Sequence, residues 1–494
     1  MTTAAIDGFD PLSISLSDSG EQRRLLEEQT KRFIQSILKS YTGFFDLFAE
    51  LTQNAIDALE RRKLEDPNFK PRLWITIDLD NSRVRVVDNG VGMTDHEFRN
   101  FLAPAVSFKK EGLGRGHKGV GATFLAYGFS YISVHTKKNG ATTAAVLRQG
   151  RQWAEDSSGT VLRPRFEGQN FAVGELANEP SGSAFEIVVG TSPGERPKNL
   201  GWIGAVTPEQ WFDVLRVKTP VGGIYLDSAQ FKFDLDLKVI QNNQTSFGSF
   251  PASEYYYPHE IPGWKFASIK DIADGLDRIS GDSQTKFAKL PNELKKLDGI
   301  YEVWNAEELI GDDRYFKSAL TDEDETLILK HRMSVYICFL RSAKLWETFN
   351  NEIVKLRKGQ RIIQGGLQMA TDGMVQGELS VIPLTSAIGY QANSHAIVHF
   401  HDGNPDMGRK TFQPELKELA DKLAVRAVTV SRRFLSHLKP DTGNSSSSPK
   451  KALYEWKKAQ ELFRDTNSIS FAHQARSISL VSTPQQEQDV VALY

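Results

Sequence analysis

The segment 44–62 carries three polar side chains, at spacings of four and three residues, in an otherwise apolar helical pattern. Glu50, Asn54 and Asp57 therefore fall on one face of a helix. When leucine and alanine side chains flank such a stripe and are buried, the helix turns the stripe into the wall of a pocket. For this segment taken alone, the alternative of a solvated helix face stays open.

The chemistry of this stripe suits a hydrated Mg²⁺ ion, which prefers a few oxygen ligands and keeps several waters. A carboxylate beside such a metal can orient and deprotonate an attacking water.

A second motif, Asp88-Asn89-Gly90-Val91-Gly92-Met93, follows strands predicted over 73–79 and 83–87. A carboxylate at a strand end can accept a hydrogen bond from an exocyclic amine such as that of adenine. The two glycines let the backbone pass close to a flat ring, and Met93 supplies a polarizable cover. The alternative is an ordinary Asp-Asn-Gly turn.

The third motif is the Gly-rich segment 112–121, which leads into a helix predicted to begin at about Ala122. Successive backbone N–H groups and a helix N-terminus favour phosphate, and Lys118 offsets its charge. The spacing matches neither the P-loop nor the dinucleotide-binding fingerprint.

These motifs, in this order, resemble the Bergerat-fold (GHKL) ATPases: gyrase-type topoisomerases, heat-shock chaperones, histidine kinases, MutL and the MORC family. The resemblance covers Glu21 to about Gly190. Glu50–Asp57 looks like the N-box, Asp88–Met93 like the adenine box and Gly114–Gly121 like the phosphate lid. The segment 181–187 has the place of the fourth box, with Ser183 where threonine is usual.

The resemblance implies ATP and Mg²⁺ as ligands. It makes Glu50 the general base, Asn54 the Mg²⁺ ligand and Asp88 the acceptor for the adenine amine, while Asp57 supports the site by hydrogen bonding. The other residues implied to contact the nucleotide are Gly90, Gly92, Met93, Gly114, Arg115, Gly116, His117, Lys118, Gly119, Val120, Gly121 and Ser183.

A strand predicted over 396–401, a loop and a long helix over 414–438 look like a MORC transducer domain. In that branch of the family, a lysine in such a loop reaches the γ-phosphate. Lys410 is the first choice for this role. The alternatives are Arg409, Lys355 and Lys358, or an exposed loop residue without this function.

The predicted fold class is α+β: a Bergerat-fold sandwich, a ribosomal-protein-like transducer domain and a helical C-terminal tail. The predicted divisions are a flexible arm (1–20), an ATP-binding domain (21–195), a transducer domain with an irregular insertion around 240–330 (196–440), and a linker with a helix over 450–463 (441–494). Because the chain ends inside an apolar run, we suspect a fragment of a longer polypeptide that begins a further domain.

Composition narrows the class of protein. Sixty Lys+Arg against 62 Asp+Glu leave a net charge of −2, so a nucleic-acid surface would have to be a local patch. Cys338 is the only cysteine, which excludes an intramolecular disulfide framework and a thiolate zinc cluster. No apolar window is long enough to span a membrane, and residues 1–10 do not form a secretory signal. We expect a soluble, cytoplasmic protein.

Two further groups of residues each have both a functional and a structural interpretation. His395, His399 and His401 share one strand face and could bind zinc, although ordinary polar packing is the simpler interpretation because the strand supplies no acidic partner. A basic run could meet DNA phosphates or could be a solvated helix face. Its members are Arg426, Arg432, Arg433, His437, Lys439, Lys450, Lys451, Lys457 and Lys458.

The leading functional hypothesis is an ATP-driven homodimeric clamp of the MORC/MutL kind on duplex DNA, with a nuclease or helicase as a candidate partner and phage defence or restriction as a candidate setting. The alternative is a heat-shock-type chaperone that acts on protein clients. A histidine kinase fits less well because its ATP module is usually C-terminal. A type II topoisomerase would need a cleavage domain for which the chain has no room.

Overall fold

A computed structural model describes residues 20–101, 120–170, 174–251, 254–403, 405–406, 408, 410–440, 468–473 and 476–481. The chain divides into two compact units. Among the described residues, the first unit holds those up to Gly223, those within 230–254, and residues 405, 406 and 408; the second unit holds the rest.

The first unit combines helices with one eight-stranded sheet. Its helices are α1 (Gly20–Ser40), α2 (Asp46–Glu65), α3 (Asp95–Phe101), α4 (Val120–Tyr127), α5 (Gly150–Glu155) and α6 (Pro208–Lys218). Its strands are β1 (Arg72–Asp78), β2 (Arg83–Asp88), β3 (Tyr131–Lys138), β4 (Ala141–Arg148), β5 (Glu167–Gly168), β6 (Gly182–Val188), β7 (Asp234–Gln241) and β8 (Gln244–Pro251).

The sheet runs in the order β5-β4-β3-β6-β2-β1-β7-β8, and its neighbours are antiparallel except for β1 and β7. Period-two alternation produces β1, whose Leu73, Ile75 and Ile77 are buried. A tight turn with Ser82 at φ +49° then reverses the chain into β2. The hairpin therefore ends with Asp88 at a central position of the sheet.

Helix α2 packs on β1, β2 and β6, and it also contacts α4. Its burial extends nearly around the helix, so Glu50 and Asp57 are each only 2% exposed. Buried carboxylates at these positions exclude the solvated-face alternative for the stripe.

The second unit is built on a six-stranded sheet in the order β13-β12-β14-β11-β10-β9. Its strands are β9 (Phe266–Ser268), β10 (Gly299–Trp304), β11 (Ser334–Leu340), β12 (Gly366–Thr371), β13 (Met374–Ser380) and β14 (Ser394–Phe400). Its helices are α7 (Ile269–Asp277), α8 (Ser283–Lys289), α9 (Ala306–Gly311), α10 (Asp322–Lys330), α11 (Lys344–Thr348) and α12 (Pro414–Ser431).

Helix α12 packs on β11, β12 and β14 through its buried leucine, alanine and valine side chains. Its proline start agrees with the prediction, but the α-helical part ends at Ser431 and a 3₁₀ turn continues to His437. The predicted mixed α+β class is confirmed. The domain boundary predicted near residue 195 stays a prediction. No described helix has the length and hydropathy of a membrane span.

The prediction that 240–330 is irregular is wrong. This stretch contains β8, an interior strand of the second sheet (β10) and four short helices. The helices are only six to nine residues long, too short for a clear hydrophobic period. Side-chain caps start them instead, at Ser268, Asp282, Asn305 and Thr321.

The predicted arm (residues 1–19) and the helix predicted over 450–463 lie outside the described residues. The described part of the tail is a hairpin of β15 (Ser468–His473) and β16 (Arg476–Val481), which the sequence analysis did not predict. Alternating isoleucine and serine give this segment a period of two, which favours strands over a helix.

Asn350 tests the packing of the second unit, because its buried amide bonds three backbone groups. Its Nδ2 donates to Trp346 O (2.6 Å) and Ile363 O (2.8 Å), and its Oδ1 accepts from Ile362 N (2.7 Å). Asn350→Ala leaves these groups unsatisfied, which should cost about 2–4 kcal/mol of unfolding free energy. Urea unfolding followed by tryptophan fluorescence measures the loss. The exposed neighbour gives the control, since Asn351→Ala should change stability by less than about 0.5 kcal/mol.

Candidate active site

The two carboxylate oxygens of Glu50 have different surroundings. Its Oε1 accepts a hydrogen bond from Tyr41 Oη at 3.0 Å. Its Oε2 lies against the first turn of α4, where a Cβ atom at position 121 would come within 1.9 Å of it. Only glycine fits at 121 while Glu50 keeps this position. The structure thus brings together Glu50 and Gly121, which the sequence assigned to two separate motifs.

Asn54 and Asp57 follow on the same face of α2, as their spacing predicts. Asp57 is buried, whereas Asn54 is half-buried. The Nδ2 atom of Asn54 is itself buried and has no hydrogen-bond partner among the described residues. A buried amide of this kind has capacity left for a ligand or a bound water.

Asp88 ends β2, and it lies opposite Ser183 in the register of β6. Its Oδ1 accepts a hydrogen bond from the backbone N–H of Gly90 at 2.8 Å. Burial raises the pKa of Asp88 to about 7; the backbone hydrogen bonds and the charges of Arg61 and Arg62 oppose this rise without cancelling it. A carboxyl group this strongly desolvated marks a functional-site candidate.

The turn after Asp88 is fixed by contacts within the protein. Gly92 has φ +62°, and a Cβ atom there would lie 2.0 Å from the carbonyl oxygen of Lys137. The N–H of Met93 donates to Thr136 Oγ1 at 2.8 Å. Thr136 Oγ1 in turn lies 3.1 Å from Ser183 Oγ. The glycine at 92 is therefore required by the protein's own backbone, whatever ring lies beside it.

Thr136 is the residue that the sequence did not single out. It is fully buried on β3, and it joins the Met93 turn to Ser183. Nothing in the strand sequence around it distinguishes it from its neighbours. Its role depends on strand register, which only the assembled sheet reveals.

The predicted phosphate lid is described at its last two residues only. Gly114, Arg115, Gly116, His117, Lys118 and Gly119 lie outside the described residues. Val120 and Gly121 are described, and they form the first turn of α4, slightly earlier than predicted. This turn meets α2 at Glu50.

Comparisons with known proteins agree with this geometry. The family model described as "Histidine kinase-, DNA gyrase B-, and HSP90-like ATPase" matches residues 41–174. These residues form a GHKL ATPase domain. Chaperone protein HtpG of Nitrobacter hamburgensis is 33% identical over 95 residues, which is 17% of this chain and 15% of that protein.

Two further relatives are also named chaperone protein HtpG. The one from Nitrobacter winogradskyi is 30% identical over 156 residues, covering 28% of this chain and 24% of the relative. The one from Fusobacterium nucleatum is 24% identical over 183 residues, covering 34% and 28%. The matches thus span less than a third of each relative's own length.

GHKL ATPases bind ATP with Mg²⁺, and the residues of this GHKL domain fit both ligands. The buried Asp88 carboxyl can accept a hydrogen bond from an amine. The unpartnered Nδ2–H of Asn54 can donate to a phosphate oxygen or a metal-bound water, and its Oδ1 is an oxygen of the kind that Mg²⁺ prefers. Bound Mg²⁺ would offset phosphate charge at α2.

The segment before Lys410 approaches α1. Gly408 belongs to the first unit, and a Cβ atom there would lie 2.5 Å from the carbonyl oxygen of Ser40. Two residues later, the carbonyl of Lys410 packs against Gly377 of the second unit. Lys355 and Lys358 are exposed, and Arg409 lies outside the described residues.

The three histidines of the proposed zinc alternative do not act together. His395 is in the core, with Nδ1 2.8 Å from Gln364 O and Nε2 3.1 Å from Tyr255 Oη. His399 and His401 instead meet Asp227, an acidic partner from the distant segment 224–229. His401 Nε2 lies 2.9 Å from Asp227 Oδ2, and His399 Nδ1 lies 3.9 Å from Oδ1.

A backbone contact opposes metal binding by this pair. The N–H of Gly373 donates to His399 Nε2 at 3.0 Å, so Nε2 is the accepting nitrogen. Burial lowers the pKa of His399 to about 4, and the neutral ring then carries its proton on Nδ1, which faces Asp227. A metal at Nδ1 would require the opposite tautomer, with Nε2–H facing an acceptor. Polar packing is therefore the better interpretation.

The described part of the basic run contacts the protein itself, while Lys450, Lys451, Lys457 and Lys458 lie outside the described residues. The second unit uses these side chains for its own structure. The contacts are Arg426 Nη2 to Ser318 Oγ (3.1 Å), Arg432 over the Tyr390 ring (5.4 Å), Arg433 Nη1 to Arg314 O (2.8 Å), His437 Nδ1 to Leu294 O (3.0 Å) and Lys439 Nζ to Asp298 Oδ2 (2.6 Å).

The pKa of Asp88 predicts a pH-dependent stability in the nucleotide-free protein. Because burial raises this pKa from 3.8 to about 7, the stabilising difference is present below pH 4 and is lost as pH rises through 7. The loss should be on the order of 4 kcal/mol. Asp88→Asn should remove it and be more stable than wild type at pH 8. Urea unfolding at pH 4 to 8 measures this, with the exposed Asp234→Asn as the control. Parallel pH profiles of wild type and Asp88→Asn would contradict the assignment.

Proposed function

We propose that this chain hydrolyses ATP with Mg²⁺. The observation that carries the proposal is the buried Glu50 carboxylate, with one oxygen held by Tyr41 and the other facing Gly121 at the start of α4. A carboxylate in a fixed orientation beside the end of a Gly-rich segment suits activation of a water next to a phosphate. Asn54 lies one turn further along α2, where it would hold the metal.

The other residues have roles that follow from their positions. Asp88 accepts a hydrogen bond from the adenine amine, while Ser183 and Thr136 support that end of the site. The residues 114–121 cover the phosphates through their backbone N–H groups. Asp57 supports α2 and does not touch the nucleotide.

GHKL domains typically dimerise when ATP binds. We extend this to a homodimeric clamp on duplex DNA, closed by ATP through the segment before α2 and opened by hydrolysis. The layout supports this extension, because the chain has a second α+β unit in addition to the GHKL domain and that unit carries a loop before its long helix α12. A nuclease or helicase is the partner proposed for it, and phage defence or restriction the setting.

A second candidate is a chaperone acting on protein clients. The observation that favours it is the name of the relatives, all of which are chaperone protein HtpG. The internal contacts of Arg426 to Lys439 also leave the second unit with less free basic surface for DNA than its sequence suggests.

One set of ATPase measurements tests the activity and separates the candidates. Glu50→Gln should still bind nucleotide but lose at least about 10²-fold in turnover, because the base is lost while the rest of the site remains. Duplex DNA should stimulate the wild type, with a stimulation that weakens as salt rises. An unfolded client protein should have no effect. Stimulation by the client and none by DNA would replace the clamp with the chaperone.

Lys410 is the proposed link between ATP and the second unit. A cation delivered to the γ-phosphate stabilises negative charge that the backbone amides only partly offset. Lysine suits this role as a compact charge on a flexible stem. The support is its position two residues after Gly408, which lies against Ser40.

Lys410→Ala should reduce ATP hydrolysis by about 10²-fold, the effect of losing one transition-state donor, while ADP affinity stays unchanged. Steady-state kinetics together with calorimetric ADP titration measure the two quantities. Lys358→Ala is the control, since Lys358 is an exposed loop lysine that should be dispensable. If Lys358→Ala or Lys355→Ala is the inactive variant, the choice of Lys410 is wrong although the ATPase proposal stands.

A further inference from the structure

Tyr41 lies in the short connection between α1 and α2, nine residues before Glu50. We propose that Tyr41 is a positioning residue that orients the Glu50 carboxylate for proton transfer. This inference rests on the proposed ATPase function and adds a residue to it.

The hydrogen bond joins two buried groups. Tyr41 is 8% exposed and Glu50 is 2% exposed, and their Oη–Oε1 distance is 3.0 Å. An ionised carboxylate can only accept, so the tyrosine O–H must be the donor. A hydrogen bond to a charged acceptor is stronger than one between neutral groups. The Tyr41 O–H therefore fixes where Oε1 of the proposed base lies.

The contact also limits how the carboxylate can turn. With Oε1 bonded to Tyr41, Oε2 is directed at Gly121 in the first turn of α4. Since α4 directly follows the Gly-rich segment, Oε2 is the oxygen on the side where the phosphates would be covered. We assign Oε2 as the oxygen that receives the proton from water.

Tyr41 is itself held by α4. Its ring stacks on Phe124 with centroids 4.1 Å apart and an interplanar angle of 6°. Phe124 in turn makes an edge contact with Phe129 at 5.4 Å. The tyrosine therefore connects the end of α1, the base on α2 and the helix after the Gly-rich segment. A group locked by packing can fix a catalytic side chain more narrowly than a mobile one.

The test is Tyr41→Phe, which keeps the stacked ring and removes only the donor. We expect kcat at pH 8 to fall by about tenfold, the scale of one hydrogen bond to a charged group. KM for ATP should stay close to the wild type, so that the loss falls on kcat, as expected when only the orientation of the base changes. ADP affinity and the melting temperature should stay close to the wild type. Tyr127→Phe on α4 is the matched control and should change none of these quantities.

The outcomes separate this inference from the function on which it rests. If Tyr41→Phe leaves kcat unchanged while Glu50→Gln is inactive, the positioning role is wrong and the ATPase proposal stands. A loss of kcat accompanied by equal losses of ADP affinity and melting temperature would show a packing role only, and would also overturn the inference. If the wild type hydrolyses no ATP, or Glu50→Gln hydrolyses it normally, the ATPase proposal fails and the Tyr41 role fails with it.

Discussion

The buried Glu50 carboxylate is the constraint on which the first unit depends. A carboxyl group at 2% exposure needs polar contacts within the protein, and Tyr41 supplies a donor from the connection before α2. Gly121 is required because any side chain there would displace Oε2. The Glu50 side chain therefore contacts both the residue that follows α1 and the first turn of α4. A change of residue at 41, 50 or 121 would affect the other two positions.

Asp88 is a second buried carboxyl, and its surroundings differ from those of Glu50. Its Oδ1 accepts a hydrogen bond from the N–H of Gly90, but burial still raises its pKa to about 7. The protein alone therefore stabilises the ionised form of Asp88 only in part. A ligand amine would complete that stabilisation. Asp88 is thus the carboxyl that a ligand would stabilise, whereas Glu50 already has a donor in Tyr41. This contrast agrees with the roles proposed for Asp88 as an acceptor for the adenine amine and for Glu50 as the base.

In the second unit, basic and histidine side chains that the sequence suggested as DNA or metal contacts make hydrogen bonds and other contacts within the unit. The basic residues of the segment 426–439 contact carbonyls, a hydroxyl, a carboxylate and an aromatic ring of their own unit. His399 meets Asp227 across a long sequence separation, yet Gly373 selects the tautomer that opposes metal binding. Residue type alone suggests a ligand in each case; the hydrogen-bond partner decides otherwise.

The sequence by itself determined the α2 stripe, the hairpin that ends at Asp88 and the mixed α+β class, because helical spacing and strand alternation are local properties of the chain. It did not determine the partners of those side chains. The contact of Tyr41 with Glu50 depends on how the helices pack, and that of Thr136 with Ser183 depends on strand register. Asp227 contacts His401 although 174 residues separate them in the sequence. The short helices between 240 and 330 could not be predicted from the sequence for a related reason. Their caps and packing stabilise them, and segments of six to nine residues are too short to show a clear hydrophobic period.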